Sequence, residues 1–232
     1  MTGFISDIAF TPAVKAVQES KGSRDGYAQP ERDWQSTVTA ELAQFIAERD
    51  SFYLATANAE GQPYIQHRGG PKGFLKVLDD KTLGFADFGG NRQYITVGNL
   101  SENDKAYIFL MDYANQRRIK VWGRARVVED DRALVDRLFT KGYRARPQRA
   151  ILFTIEAWDV NCPQHIPKLL SEEEVTQRVA PLTARITELE AELASLEATG
   201  ELDRILGGDL SRRARCGPPD PATATPIIFC HF

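Results

Sequence analysis

The chain has 232 residues, enough for one domain or one domain with an appendage. Its 42% hydrophobic and 26% charged content is that of an ordinary globular protein, and a net charge of −3 gives no reason to expect a nucleic-acid partner. No apolar run approaches the roughly 20 residues that cross a bilayer, so no membrane partner is expected. Met1–Asp7 lacks the basic-then-apolar order of a signal peptide. Cys162, Cys216 and Cys230 form no C-x-x-C pair, which argues against a disulfide framework or a metal site and predicts a reducing, cytoplasmic setting.

In chain order, residues 8–20 predict a short helix with Thr11 as N-cap and Pro12 at its first position. Residues 20–33 read as a loop. Ser36 is placed to cap a second helix whose Val38, Leu42, Phe45 and Ile46 share a buried face. The pattern then changes. Ser51–Ala57 is strand-like, the Asn58–Pro63 segment supplies turn chemistry, and Tyr64–Arg68 returns. Phe74–Leu78 and Thr82–Phe88 follow, then a short Ile95–Leu100 helix and the strands Lys105–Met111 and Ile119–Val128. Short strands separated by turns predict an all-β barrel or sandwich rather than a β-α-β array. A helix over Asp131–Gly142 and a strand over Ala150–Ala157 complete this part, before an irregular segment through Pro167.

Residues 172–206 differ in kind. Val175, Val179, Leu182, Ile186, Leu189, Leu193 and Leu196 recur at alternating spacings of four and three, a two-per-heptad seam. The seam suits either a helix packed along its own barrel or one pairing between subunits, and Pro181 either kinks the helix or marks its start. From Gly207 the composition turns to proline and basic residues, which predicts a disordered tail over 207–232. The expected organisation is N-terminal helices packing on the barrel (1–50), a barrel (51–167), a C-terminal helix (168–206) and the tail.

Two turns carry the chemistry. One is Gln66-His67-Arg68-Gly69-Gly70-Pro71-Lys72-Gly73, the other Ala86-Asp87-Phe88-Gly89-Gly90-Asn91-Arg92-Gln93. Arginine offers a planar fork to phosphate oxygens, and glycine lets backbone amides come close. Singly, each reads as a tight turn with an exposed arginine. Brought together by a barrel, they fit an anionic, planar cofactor, read here as flavin mononucleotide (FMN). Neither matches the P-loop or Rossmann glycine pattern. Lys120 and Arg124 read as a solvated basic strand face, with Trp122 among them covering apolar surface at an interface. Cys162 and His165 have the residue types of a nucleophile pair, but their loop fixes no geometry.

Residues 51–128 together resemble the pyridoxamine 5′-phosphate oxidase family of FMN-binding split barrels, and the likeness continues to Trp158. Arg68 matches the arginine that ends the family's second strand. Phe85–Phe88 followed by Gly90-Asn91-Arg92-Gln93 matches the strand and turn at the flavin phosphate, with Gln93 where the family has lysine. Arg118 opens a strand containing the family's V-x-G as Val121-Trp122-Gly123, and Glu156-Ala157-Trp158 matches its E-x-W. The family's R-x-H-[DNE]-R run after that tryptophan is missing from residues 159–167, so the chain looks more like the flavin-nucleotide-binding branch, marked by Arg-Gly-Gly-Pro, Gly-Asn-Arg-Gln and Asn-Cys-Pro-Gln-His-Ile.

The resemblance implies a six-stranded antiparallel split β-barrel with flanking helices and a long C-terminal helix. It implies an FMN-dependent oxidoreductase of unknown substrate, working as a homodimer with FMN at the subunit interface. Arg68, Asn91, Arg92 and Gln93 would hold the phosphate and ribityl chain, with Phe88 a further cofactor-binding residue. Gly69, Gly70, Pro71 and Arg118 would lie near the ring, and Trp158 with His165 would close the site from the partner. The competing readings are a true pyridoxamine phosphate oxidase, a deazaflavin- or haem-binding barrel, a protein that stores or senses flavin without turnover, and a scaffold assembled through the heptad seam.

Overall fold

Alternation of side chains builds the first hairpin. In β1 (Ser51–Ala57), Phe52, Leu54 and Thr56 point inward. β2 (Pro63–Gly69) pairs antiparallel with it in the register Phe52↔Arg68, Leu54↔Gln66 and Thr56↔Tyr64, so Arg68 and Gln66 share the inward face. The turn between them is fixed by Gln62, whose amide donates to Asn58 Oδ1 at 2.8 Å, and by Gly61 at φ 87°. The computed structural model describes residues 3–27, 29–200 and 204. Two units divide the chain, Met1–Leu169 and Leu170–Phe232.

The first unit is built on one antiparallel sheet. β3 (Lys76–Val77), β4 (Thr82–Phe88), β5 (Lys105–Asp112), β6 (Arg117–Val128) and β7 (Pro147–Val160) join the hairpin in the order β2-β1-β5-β6-β7-β4-β3. The sheet curls on itself. Phe52 of β1 meets Phe85 of β4 at 5.2 Å between ring centroids, although no backbone ladder joins those strands. Their interior holds Leu54, Leu83, Ile108, Leu110, Val121 and Phe153, all fully buried. This is the expected split barrel: six strands of seven residues or more, plus the two-residue β3 as a seventh. The split lies between β2 and β4, which meet through side chains alone.

Gly123 explains the V-x-G of β6. The β6–β7 register shifts between Trp122 and Gly123, and a Cβ on Gly123 would stand 2.1 Å from the Thr154 carbonyl oxygen and 2.6 Å from the Phe153 ring. The outer face of β6 is the basic strip expected from sequence, exposed at Arg124 and Arg126 and partly covered at Lys120. Lys120 pairs with Asp159 at 2.9 Å and lies over the Trp34 and Trp122 rings, and Arg124 pairs with Asp104 and Glu156, both at 2.7 Å. Trp122 is covered from within the chain, since Trp34 stacks on it at 4.8 Å.

Five helices are described: α1 (Pro12–Ser20), α2 (Ala40–Ala47), α3 (Ile95–Glu102), α4 (Arg132–Leu138) and α5 (Glu172–Ala198). Thr11 caps α1 as expected, with Ile5–Ile8 forming a separate 3-10 turn. α2 starts later than its pattern suggests, with Thr39 as N-cap in place of Ser36. The reason is an extended lead-in: Gln35 and Trp158 exchange backbone hydrogen bonds, and the Val38 amide donates to the Asp80 carbonyl. β3 is shorter than expected because Pro71 and Phe74 close a turn, with Gly73 at φ 73°. α4 packs Val135 and Leu138 against Ala86 and Ala150 on the outside of β4 and β7.

The second unit is described as one helix. Ser171 and Glu174 form a capping box at its start, so Pro181 lies inside α5 and does not begin it. Residues 207–232, read from sequence as a disordered tail, lie outside the described residues. No helix among the described residues is long and apolar enough to cross a membrane.

Candidate functional site

The two turns singled out in the sequence meet at the split. β2 brings Arg68 and Gln66, both inward-facing. β4 leads into the segment 89–94, and this runs into α3. A pocket opens there, lined by Gln66, Arg68, Asp87, Phe88, Asn91, Arg92, Gln93, Tyr94 and Thr96, together with Tyr64 and Gln148.

The backbone of the turn is held in a rare conformation. Arg92 and Tyr94 are left-handed, at φ 60° and 54°, a region that non-glycine residues avoid. Such strain is kept where the surrounding structure imposes it, most often at ligand sites. The Gln93 amide donates to Asn91 Oδ1 at 3.2 Å, and the Tyr94 carbonyl accepts from the Gly98 amide at 2.8 Å. Tyr94 is the N-cap of α3 but gives no side-chain cap, so the first-turn amides of α3 carry no capping acceptor where Ile95, Thr96 and Val97 line the pocket. α3 is anchored from behind by Asn99, whose side chain donates to Thr56 Oγ1 of β1 at 3.0 Å. Thr96 Oγ1 donates to Gln66 Oε1 at 3.0 Å and ties the helix to β2.

Beneath the pocket is a buried charge cluster. Arg68 donates through one terminal nitrogen to Asp87 Oδ1. The other Asp87 oxygen lies 3.6 Å from Arg149 Nε. Arg149 in turn donates to Glu129 and to Gln148 Oε1, and its guanidinium lies 5.2 Å over the Tyr94 ring. Asp87 and Arg149 are only 7% and 8% exposed, so the pairing fixes both in a poorly hydrated place. Arg68 thus presents a positioned cation to the pocket, with its second terminal nitrogen outside the Asp87 bond.

Burial pushes the Asp87 carboxyl above its ordinary value of 3.8, and this outweighs the opposing pull of Arg68 and Arg149. The folded state therefore holds the Asp87 proton more tightly than the unfolded chain does. The folded-state advantage from this group is complete below the unfolded pKa and declines as pH rises toward the folded one. Asp87→Asn is expected to flatten that decline, measured as stability against pH through the carboxylate range. An unchanged slope would show that Asp87 does not titrate there.

The remaining expected site residues are placed elsewhere. Gly69 lines a neighbouring pocket with His67, Phe74, Phe85 and Phe88, which touches the first through Arg68 and Asp87. The Gly70 amide is spent on the Asp50 carbonyl at 2.8 Å, and a Cβ at Gly70 would lie 2.7 Å from the Phe74 ring. The first glycine turn therefore serves close packing at Gly70, and Pro71 has no amide to offer. Arg118 opens β6 on the outward face, away from the pocket lining, with its Nε buried and unpartnered. Trp158 is 7% exposed within the core, and its indole N–H donates to the Thr37 carbonyl at 2.8 Å. His67 points to the outer face against Tyr53, and no hydrogen bond joins Cys162 to His165.

Sequence reasoning missed Gln66, Asp87, Thr96 and Arg149. A two-residue step back from Arg68 leads to Gln66. A lone acid in the apolar run Leu83–Phe88 marks Asp87. Arg149 was hidden because its strand begins at Pro147, three residues before the apolar run at Ala150.

The pyridoxamine 5′-phosphate oxidase family model matches residues 38–162, just over half of the 232-residue chain. The chain belongs to this family. The matched segment contains every residue lining the pocket at the split and ends before α5. Among solved structures, HupZ of Group A Streptococcus is 20% identical over 57% of this chain and 99% of its own, at a TM-score of 0.44. An FMN-binding protein of Syntrophomonas wolfei is 17% identical over 66% of this chain and 99% of its own, at 0.43. A protein of Clostridium acetobutylicum related to general stress protein 26, of the pyridoxinephosphate oxidase family, is 18% identical over 58% and 94%, at 0.41. No curated protein matches.

Proposed function

We propose that the pocket at the split holds the phosphate end of FMN and that the protein is an FMN-dependent oxidoreductase working as a homodimer. The observation that carries this reading is the convergence of Arg68 and Arg92 with Gln93 and Thr96 on one pocket, from β2, the 89–94 turn and α3. Two cations, an amide side chain and uncapped helix amides are a donor set for a phosphate ester. Asp87 opposes an anion only partly, because Arg68 and Arg149 flank it. The residues therefore fit the group. The flavin, when bound, supplies hydride transfer at its ring.

The chain's own residues bind and orient. Arg68 and Arg92 neutralise the phosphate, Gln93 donates to it, and Phe88 borders both the donor pocket and the one beside it. Histidine, cysteine and methionine are absent among the described residues that line the donor pocket, which counts against haem ligation there. Around the pocket, Ile65, Tyr94 and Ile95 are 59%, 48% and 39% exposed, apolar surface that a second subunit would cover.

Arg92→Ala is expected to weaken FMN binding by about 2 kcal/mol, the scale of losing a charge-assisted partner. Titration of flavin fluorescence measures it. An unchanged affinity would remove Arg92 from the site.

A further inference from the structure

The structure leaves α5 without a buried residue. Its seam is solvent-facing throughout: Val175, Val179, Leu182, Ile186, Leu189 and Leu193 are 41–65% exposed. A 27-residue helix with one continuous apolar stripe and, among the described residues of its own unit, nothing packed on it lacks the tertiary packing that stabilises most protein helices. From this we infer that α5 pairs, seam to seam, with α5 of a second copy of this chain.

The residue types point to a copy of the same helix. The stripe repeats every 3.5 residues on average, the period that keeps two supercoiled helices in contact. Val179, Ile186 and Leu193 occupy one seam position of the heptad, and Val175, Leu182, Leu189 and Leu196 the other. Two of the three residues at the first are β-branched and three of the four at the second are leucine, a distribution that in parallel pairs favours two strands. Pro181 falls outside the seam, and the helix runs through it, so its ring does not enter the contact. Charge agrees as well. An antiparallel pair sets Arg185, which flanks the seam, against Glu192 of the partner subunit, whereas a parallel pair sets it against Glu190 of the partner subunit but also sets Glu192 against Glu197 of the partner subunit. A membrane surface fits poorly, because the helix carries Glu188, Glu190, Glu192 and Glu197 where an interfacial helix carries lysine and arginine.

Cysteine cross-linking of the full chain tests this. Cys162, Cys216 and Cys230 are replaced by serine, and Leu182→Cys, Leu193→Cys or the outward-facing Ala184→Cys is added. Paired seams bring seam cysteines within disulfide reach. On mild oxidation, covalent dimer is expected from Leu182→Cys alone if the pair is parallel, or from an equal mixture of the Leu182→Cys and Leu193→Cys chains if it is antiparallel. Ala184→Cys should give none, and adding Ile186→Lys should abolish the seam cross-link. All three tryptophans, Trp34, Trp122 and Trp158, lie in the first unit, so an unchanged tryptophan emission shows that the barrel stays folded in each variant. No cross-link at the seam, equal yield at Ala184→Cys, or a cross-link that survives Ile186→Lys would overturn the inference. None of these readouts depends on flavin.

Discussion

Gly123→Ala is expected to destabilise the barrel by about 3 kcal/mol or more, the upper end of what overpacking costs. The added methyl would meet the Thr154 carbonyl oxygen at 2.1 Å and the Phe153 ring at 2.6 Å. Neither can yield cheaply. Thr154 belongs to β7, which is held on both sides by ladders to β4 and β6, and Phe153 is fully buried. The strands must therefore separate at the register shift. For a chain of this size the loss corresponds to a melting temperature lower by roughly 10 °C. A variant that melts within a degree or two of the parent would show that β6 and β7 do not approach as described. Flavin affinity is a poor reporter here, because the glycine acts on the frame and not on the pocket.

Arg68→Ala is the second large effect, and it is expected to act twice. It removes a phosphate donor from the pocket, a loss of about 100-fold in FMN affinity, or roughly 2.7 kcal/mol. It also strips Asp87 of its hydrogen-bonded partner in a site only 7% exposed. Breaking a buried pair from one side commonly costs 3–5 kcal/mol, and here about 3 is expected because Arg149 stays within 3.6 Å. The two losses are separable. Adding Asp87→Asn removes the uncompensated charge and should return most of the stability, yet leave the affinity low. Denaturant unfolding and flavin titration of the single and double variants measure each part. Recovery of affinity in the double variant would mean that Arg68 touches only Asp87 and not the ligand.

The sequence makes the architecture legible where each local signal has one solution. Alternation in Ser51–Ala57 and Ile119–Val128, with turn residues between, leaves little choice but antiparallel strands. The family resemblance rests on motifs that the structure explains physically. The glycine of V-x-G is forced by Thr154, and the Asn91-Arg92-Gln93 turn is left-handed at Arg92. What the sequence hid depends on tertiary partners. Lys120 looks solvated until Asp159 and the Trp34 and Trp122 rings are seen beside it. Gly70 looks like an anion cradle until its amide is found on Asp50. Trp122 looks like an interface residue until Trp34, 88 positions away in the chain, stacks on it.

The charge cluster under the pocket shows the same limit. Asp87 and Arg149 pair across the β4–β7 ladder, in the register Asp87↔Arg149, and Arg68 reaches Asp87 across the split. No local window contains all three. Their meeting closes the barrel at the side where the sheet leaves it open, and sets Arg68 toward the pocket in the same contact. Frame and site are thus joined through one carboxylate.

Binding of FMN in the pocket at the split is read most directly from the visible absorption spectrum of the purified protein. The spectrum is taken as purified and again after FMN is added and the protein dialysed. Retained oxidised-flavin bands, lost in Arg68→Ala and Arg92→Ala, are the predicted result. A folded protein that stays colourless after added FMN, or that shows a Soret or deazaflavin band instead, would contradict it.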